Sequence, residues 1–165
     1  MLVACLLLLG GALPLHAEDQ HLGSFRDWSA VKYSDRGELT CMLFSQPKQM
    51  DGKDAGVTNA FVFVTYRYKD GALGEGRVSV QTAYSIKDQT QLQVVIDKDK
   101  LALTTSESTA WTTDAKEDAA LIGAMRAGHD MMVVATDQKG QQHEDVYSLL
   151  GFTAAGKALE SACKP

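Results

Sequence analysis

From residue 28 to residue 149 the chain is a succession of short β-branched and aromatic runs separated by turns rich in Gly and Asp, and this rhythm constrains its fold most. Phe61-Val62-Phe63-Val64-Thr65-Tyr66 is apolar on both parities and predicts a central strand buried on both faces. Arg77-Val78-Ser79-Val80-Gln81-Thr82 alternates, which places Val78, Val80 and Tyr84 inward on a half-buried strand. Residues 69–76 between them, with Gly71, Gly74 and Gly76, read as a flexible hairpin loop. A second hairpin pairs residues 92–96 with 101–104 around the charged turn at 97–100. A third pairs 131–135 with 145–149 across a tip at Lys139-Gly140. Shorter strands are expected at 28–33 and 39–44. Residues 46–58, polar and carrying Pro47, Gly52 and Gly56, read as a surface loop.

Two helices interrupt the strands. Asp114-Ala115-Lys116-Glu117 has the form of a capping box, with Ala119, Ile122, Met125 and Arg126 at helical spacing and Gly128 as a left-handed terminator. Thr153 is the expected cap of a terminal helix through Ala154, Ala158 and Leu159 towards Cys163. About eight strands with two short helices predict a mainly β, antiparallel β-sandwich, because a parallel α/β sheet needs regular strand–helix alternation. Residues 25–165 form a single domain after a flexible segment at 18–24.

The beginning of the chain sets the compartment. From Leu2 to Leu15 it is almost unbroken Leu, Ala, Val and Gly, closing on Leu15-His16-Ala17 before Glu18-Asp19. That is the layout of a secretory signal peptide over residues 1–17, and about 14 apolar residues fall short of the ~20 a membrane span needs. Cleavage after Ala17 leaves about 148 residues, without a transmembrane anchor and large enough for one core. Cys5 leaves with the leader, so Cys41 and Cys163 remain. An even count in an oxidising compartment reads as a disulfide, with two buried thiols as the alternative. With 16 basic against 21 acidic side chains, net −5, there is no basic stripe for nucleic acid.

The search for chemistry is unproductive. Nucleophilic catalysis needs a base, most often His. His21 falls in the flexible segment, and His129 and His143 lie at opposite ends of the third hairpin if paired positions sum to about 279, roughly 20 Å apart. His143-Glu144-Asp145 can bring only His143 and Asp145 to one face, too few ligands for zinc. Asp51, Asp54, Asp97 and Asp99 lack the calcium-loop pattern and read as solvated turn acids. No nucleophile elbow, phosphate loop or dinucleotide fingerprint is present. Met125, Met131 and Met132 read as core rather than a copper site. Neither a metal nor another cofactor is expected.

Phe25-x-x-Trp28, Cys41-Met42-Leu43-Phe44-Ser45-Gln46-Pro47 and Phe61-Val62-x-Val64-Thr65 resemble the front half of an invasion-associated locus B family protein. Ala124-Met125-Arg126-Ala127-Gly128 and Asp145-Val146-Tyr147-Ser148-Leu149-Leu150-Gly151-Phe152-Thr153-Ala154-Ala155 resemble its back half. The resemblance implies an exported, periplasmic or secreted protein of Gram-negative bacteria with an immunoglobulin-like sandwich, and it transfers no catalytic residue. The family takes its name from members that assist host-cell invasion; envelope housekeeping is the other role the resemblance allows. Motif residues Trp28, Ser45, Pro47, Tyr147, Ser148, Leu149, Gly151 and Phe152 carry it.

The leading expectation is therefore a non-enzymatic binding module with a protein partner, docking through the 46–58 loop at Lys48, Lys53 and Asp54. The alternatives are a carboxylate-based hydrolase using Glu107, Asp114 or Asp145, and a carrier of an apolar ligand between the two sheets, in a cavity of at least about 300 Å³. The leader itself is testable: protein recovered from the periplasm should have the intact mass of a chain beginning within two or three residues of Glu18. A soluble cytoplasmic chain retaining Met1 would contradict export.

Overall fold

Strands form where the sequence alternates. The structure is a computed structural model that describes residues 20–164, so the leader lies outside the described residues. Its elements in chain order are β1 (Gln20–Phe25), β2 (Trp28–Asp35), β3 (Glu38–Ser45), β4 (Gln49–Met50), β5 (Lys53–Asp54), β6 (Phe61–Lys69), β7 (Ala72–Leu73), β8 (Arg77–Gln81), β9 (Leu92–Ile96), β10 (Asp99–Ser106), β11 (Thr109–Trp111), α1 (Ala115–Ala127), β12 (Asp130–Thr136), β13 (Gln142–Ser148) and α2 (Phe152–Ala162). The order across the antiparallel ladder is β1-β2-β3-β6-β8-β11-β10-β9-β12-β13-β4-β5, with β7 against β6. This is the expected mainly β, sandwich-like architecture with two helices.

The two layers are one continuous ribbon rather than separate sheets. β10 pairs with β9 along residues 99–103 and with β11 along 104–106, so a single strand passes from one layer to the other. Inward side chains of both layers, including Leu43, Val62, Val80, Leu92, Val94 and Val133, share one buried core. Helix α2 packs against β1, β2 and β3. It is tied there by a disulfide from Cys163, at its C-cap, to Cys41 on β3, with Cα atoms 6.2 Å apart. The Lys32 ammonium adds hydrogen bonds to the carbonyls of Ala162 and Lys164, at 3.2 and 2.8 Å. Among the described residues, no helix is long and apolar enough to cross a membrane.

Several local expectations change. Residues 20–24 are not a flexible tail but most of β1, an edge strand registered against β2 from Gln20↔Lys32 to Phe25↔Trp28. β6 is buried on one face only: Val62 and Val64 point inward, while Phe61 and Phe63 stack on the outer face with Phe44 edge-on to Phe61. Aromatic contact along and across strands, rather than a second covering layer, accounts for the apolar residues on both parities. The hairpin at 69–76 is tightened by β7, with Asp70 and Gly71 at φ 53° and 83° as a two-residue turn.

Gly128 ends α1 in an extended rather than left-handed conformation. It is small because a Cβ there would meet the Ile96 side chain at 2.5 Å. Asp114 caps α1 as expected, accepting from the Glu117 N–H at 2.9 Å. The returning Glu117 carboxylate binds the Thr113 N–H at 2.8 Å instead of closing the box on Asp114. The cap of α2 is Gly151, not Thr153.

Reduction or removal of the bridge should release the C-terminal helix. Cys163→Ser is expected to destabilise the domain by about 2–5 kcal/mol, since the bridge closes a long loop, and to expose residues near Cys163 first. Denaturant unfolding with hydrogen exchange checks this; labelling of two free thiols in the native oxidised protein would contradict the linkage.

Candidate functional site

The residues singled out by motif meet at one end of the fold. Trp28 opens β2 fully buried, donating its indole N–H to the Ser148 carbonyl at 2.9 Å. Its ring lies edge-on to Phe152 with centroids 4.8 Å apart. The Ser45 hydroxyl donates to the Asp27 carbonyl at 2.6 Å. The Asp27 N–H donates to the Leu150 carbonyl at 3.2 Å, and the Leu150 N–H to the Ser148 hydroxyl at 3.2 Å. Gly151 adopts φ 97° where the chain turns into α2, and a Cβ there would lie 1.7 Å from the Phe25 carbonyl oxygen. Only glycine fits both the conformation and the approach. These contacts clasp the β1–β2 turn to the β13–α2 junction.

A cleft lies on each side of the clasped turn. One, of about 370 Å³, is walled by Asp27, Phe44, Pro47, Lys48 and Asp54. Lys48 forms an ion pair with Asp27. Burial raises the Asp27 pKa, but Lys48 and the Ser148 hydroxyl outweigh it and hold the carboxyl below its ordinary value. Lys53 is exposed on β5 and does not line the cleft. The 46–58 segment is therefore not irregular throughout: β4 and β5 form a small hairpin added to β13. The other cleft, of about 670 Å³, is bordered by Phe25, Arg26, Arg126, His129, Leu150 and Lys157.

A family model described as "Invasion associated locus B (IalB) protein" matches residues 28–160. The chain belongs to this family. A solved structure, the invasion associated protein B from Bartonella henselae, superposes with a TM-score of 0.58 at 15% identity, covering 84% of this chain and 94% of that one. At that identity the likeness is one of fold. No curated protein matches the chain. Three of the five segments that carry the IalB resemblance converge: Phe25, Arg126-Ala127-Gly128 and Leu149-Leu150-Gly151 all border the larger cleft. Of the other motif residues, Trp28, Ser45, Ser148 and Phe152 build the clasp, Leu149 is buried beneath it, and Tyr147 is sealed in the core.

The three candidate catalytic carboxylates stay apart in role. Glu107 occupies the β10–β11 turn at φ 53°, and Asp114 caps α1. Asp145 is 1% exposed on β13, without a hydrogen-bond partner on either oxygen among the described residues, and burial first, then the charge of Asp145, raises the pKa values of Tyr84 and Tyr147. Burial, then the charge of Asp51, pushes Asp145 up to about 6. Among the described residues, no group of three or more His, Cys, Asp or Glu gathers in a metal-binding arrangement.

Above Asp145 lies a polar hub that motif reasoning missed. His143 Nδ1 contacts the Asp51 carboxylate at 2.8 Å and Nε2 contacts Asp137 at 3.3 Å, with Tyr84 stacked on the ring at 4.2 Å between centroids. Asp51, read as a solvated turn acid, in fact also accepts from the Glu144 N–H at 2.9 Å, which fastens the β4–β5 hairpin to β13. Asp137 accepts from the N–H groups of Lys139 and Gln141, at 2.9 and 2.8 Å. That local turn shifts the third hairpin by one residue, so His143 faces Ala135 rather than Thr136. The signal was present in Asp137-Gln138-Lys139-Gly140, an Asp followed by a glycine turn.

Burial lowers the His143 pKa, but the hydrogen bonds its ring donates to the Asp51 and Asp137 carboxylates outweigh it and raise the value. Asp51 is lowered first by the Glu144 N–H, and Asp137 first by the Gln141 N–H, both also by His143. The raised imidazole contributes stability that is full below about pH 6.5 and is lost as pH rises through its folded value. Asp145 acts with the same sign, its contribution lost as pH rises through about 6. The two lowered carboxylates contribute above about pH 3.9, and that contribution is lost as pH falls through their folded values. The melting temperature should therefore rise as pH is lowered from about 8 to about 5 and fall below about 4. His143→Ala should flatten the upper part of that rise. Calorimetry across pH checks both, and a wild-type melting temperature that falls between pH 8 and 5 would contradict the reading.

Proposed function

We propose that this IalB-family protein is an exported, non-enzymatic binding module that docks a protein partner at the clasped end of its sandwich. One observation carries the reading: the motif side chains are engaged in fixing the β1–β2 turn, and the cleft beside it is walled by polar loop residues, Asp27, Lys48 and Asp54. A rigid frame that presents variable loops is the usual construction of a binding surface. The apolar leader and the Cys41–Cys163 bridge support export into an oxidising compartment. The burial of Asp145 and the separate structural positions of Glu107 and Asp114 favour binding over hydrolysis.

A second reading, a carrier of a small apolar ligand, draws on a groove of about 330 Å³ between α1 and the β9–β10 hairpin. It is lined by Val94, Ile96, Leu101 and Leu121 with Asp99 and Lys100 at its rim. Its volume is near the lower end of the range for ligand sites, and it ranks second for that reason.

Replacing Lys48, Lys53 and Asp54 together with Ala tests the leading reading. The Lys48–Asp27 pair is largely solvated on the lysine side, so the triple variant should lose no more than about 1 kcal/mol. It should also lose the partners that the wild-type mature protein recovers from periplasmic extract. Full recovery by a stable triple variant would move the binding surface elsewhere.

A further inference from the structure

The larger cleft carries a charge that the chain as a whole does not. The protein has a net charge of −5, yet this groove of about 670 Å³ is bordered by Arg26, Arg126 and Lys157, with His129 beside them and, among the described residues, no Asp or Glu in its walls. Glu160 reaches Arg126 at 3.7 Å, with both side chains about half exposed, too solvated a contact to cancel the local field. Asp27, the acid on the same turn as Arg26, is paired with Lys48 and lines the other cleft. The floor is apolar, formed by Phe25, Leu149 and Leu150, the last 52% exposed. α2 starts at this floor with Gly151 as its cap, no side-chain capping bond and no acid in its first turn. The positive end of its dipole thus adds to the three cations.

We infer that this groove binds an acidic segment of a protein partner, an extended stretch in which Asp or Glu alternates with apolar side chains. In such a segment successive side chains point opposite ways, so apolar groups meet Phe25, Leu149 and Leu150 while carboxylates remain at the rim within reach of Arg26, Arg126 and Lys157. The volume suits a few residues and lies within the ~300–1,000 Å³ that small ligands fill. Three cations in a concavity match a local anion. A nucleic acid strand needs a longer basic track, and a concave site cannot follow an anionic bilayer surface. The inference rests on the binding-module reading and gives the partner's chemistry on the far side of the turn from the 46–58 loop.

A fluorescein-labelled hexapeptide of alternating Leu and Asp tests it by anisotropy against the mature, oxidised protein. The peptide should bind, weaken as ionic strength rises from about 0.05 to about 0.5 M, and fail to bind when Asn replaces every Asp. Arg26→Ala with Lys157→Ala, and separately Leu150→Ser, should each weaken binding by about tenfold or more with unchanged melting temperature. No binding, equal binding by either stable groove variant, or displacement of the peptide by phosphatidylglycerol vesicles would overturn the inference. The Lys48, Lys53 and Asp54 triple variant separates the two readings. If it binds the peptide normally but still recovers every periplasmic partner, the loop proposal fails and the groove stands. If it loses the partners while the groove variants bind peptide as the wild type does, the groove fails and the loop stands.

Discussion

The burial of Trp28 holds the two ends of this chain in one place. Its indole N–H reaches the carbonyl of Ser148, 120 residues away, and its ring closes on Phe152 at the first turn of α2. A buried indole without an acceptor would forfeit a hydrogen bond, and one without an aromatic neighbour would forfeit packing. Both needs are met by the same β13–α2 junction, so the position of the terminal helix follows from the position of β2. The disulfide then fixes the far end of that helix to β3. Gly151 is the counterpart of this arrangement, because the backbone of Phe25 occupies the space where any side chain would lie.

Much of this architecture was legible in the residues. The alternation at 77–82 identified β8, and Asp114 with Glu117 marked the start of α1. The even cysteine count pointed to the bridge. What escaped had three physical sources. Apolar residues on both parities of β6 suggested two buried faces, whereas Phe61 and Phe63 interact with each other on an outer face. Gly128 is the expected terminator in a different conformation, and the cap of α2 is Gly151 instead of the expected Thr153, because packing rather than capping propensity dictates glycine at both positions. The register of the third hairpin depended on one carboxylate, Asp137, whose bonds to two backbone N–H groups set the turn.

The clasped end was legible in part. Most of the motif residues gather there, but sequence spacing could not distinguish residues that build a site from residues that line it. Trp28 and Phe152 build; Ser45 does both; Lys48, Asp54 and Pro47 line one side, and Arg26 and Lys157 line the other. Arg26 and Lys157 are 131 positions apart, and no local pattern connects them. Asp51 and His143 are likewise joined only by the addition of the β4–β5 hairpin to β13. A strand pair of two residues per side is too short to be announced by periodicity, so tertiary placement alone reveals it.

The clasp also dictates an order of events. Ser148 and Cys163, which with Phe152 complete the environment of Trp28 and Cys41, lie 120 and 122 residues further along the chain than the partners they meet on β2 and β3. Until they dock, the early strands keep an open edge and an uncovered indole. Contacts of such large sequence separation are costly to close and slow to form. A chain released short of residue 148 would leave its N-terminal strands without the element they are built to receive. The domain thus behaves as a lock whose last tooth is the β13–α2 junction: the early strands can pair with one another before it arrives, but their core closes only when it docks.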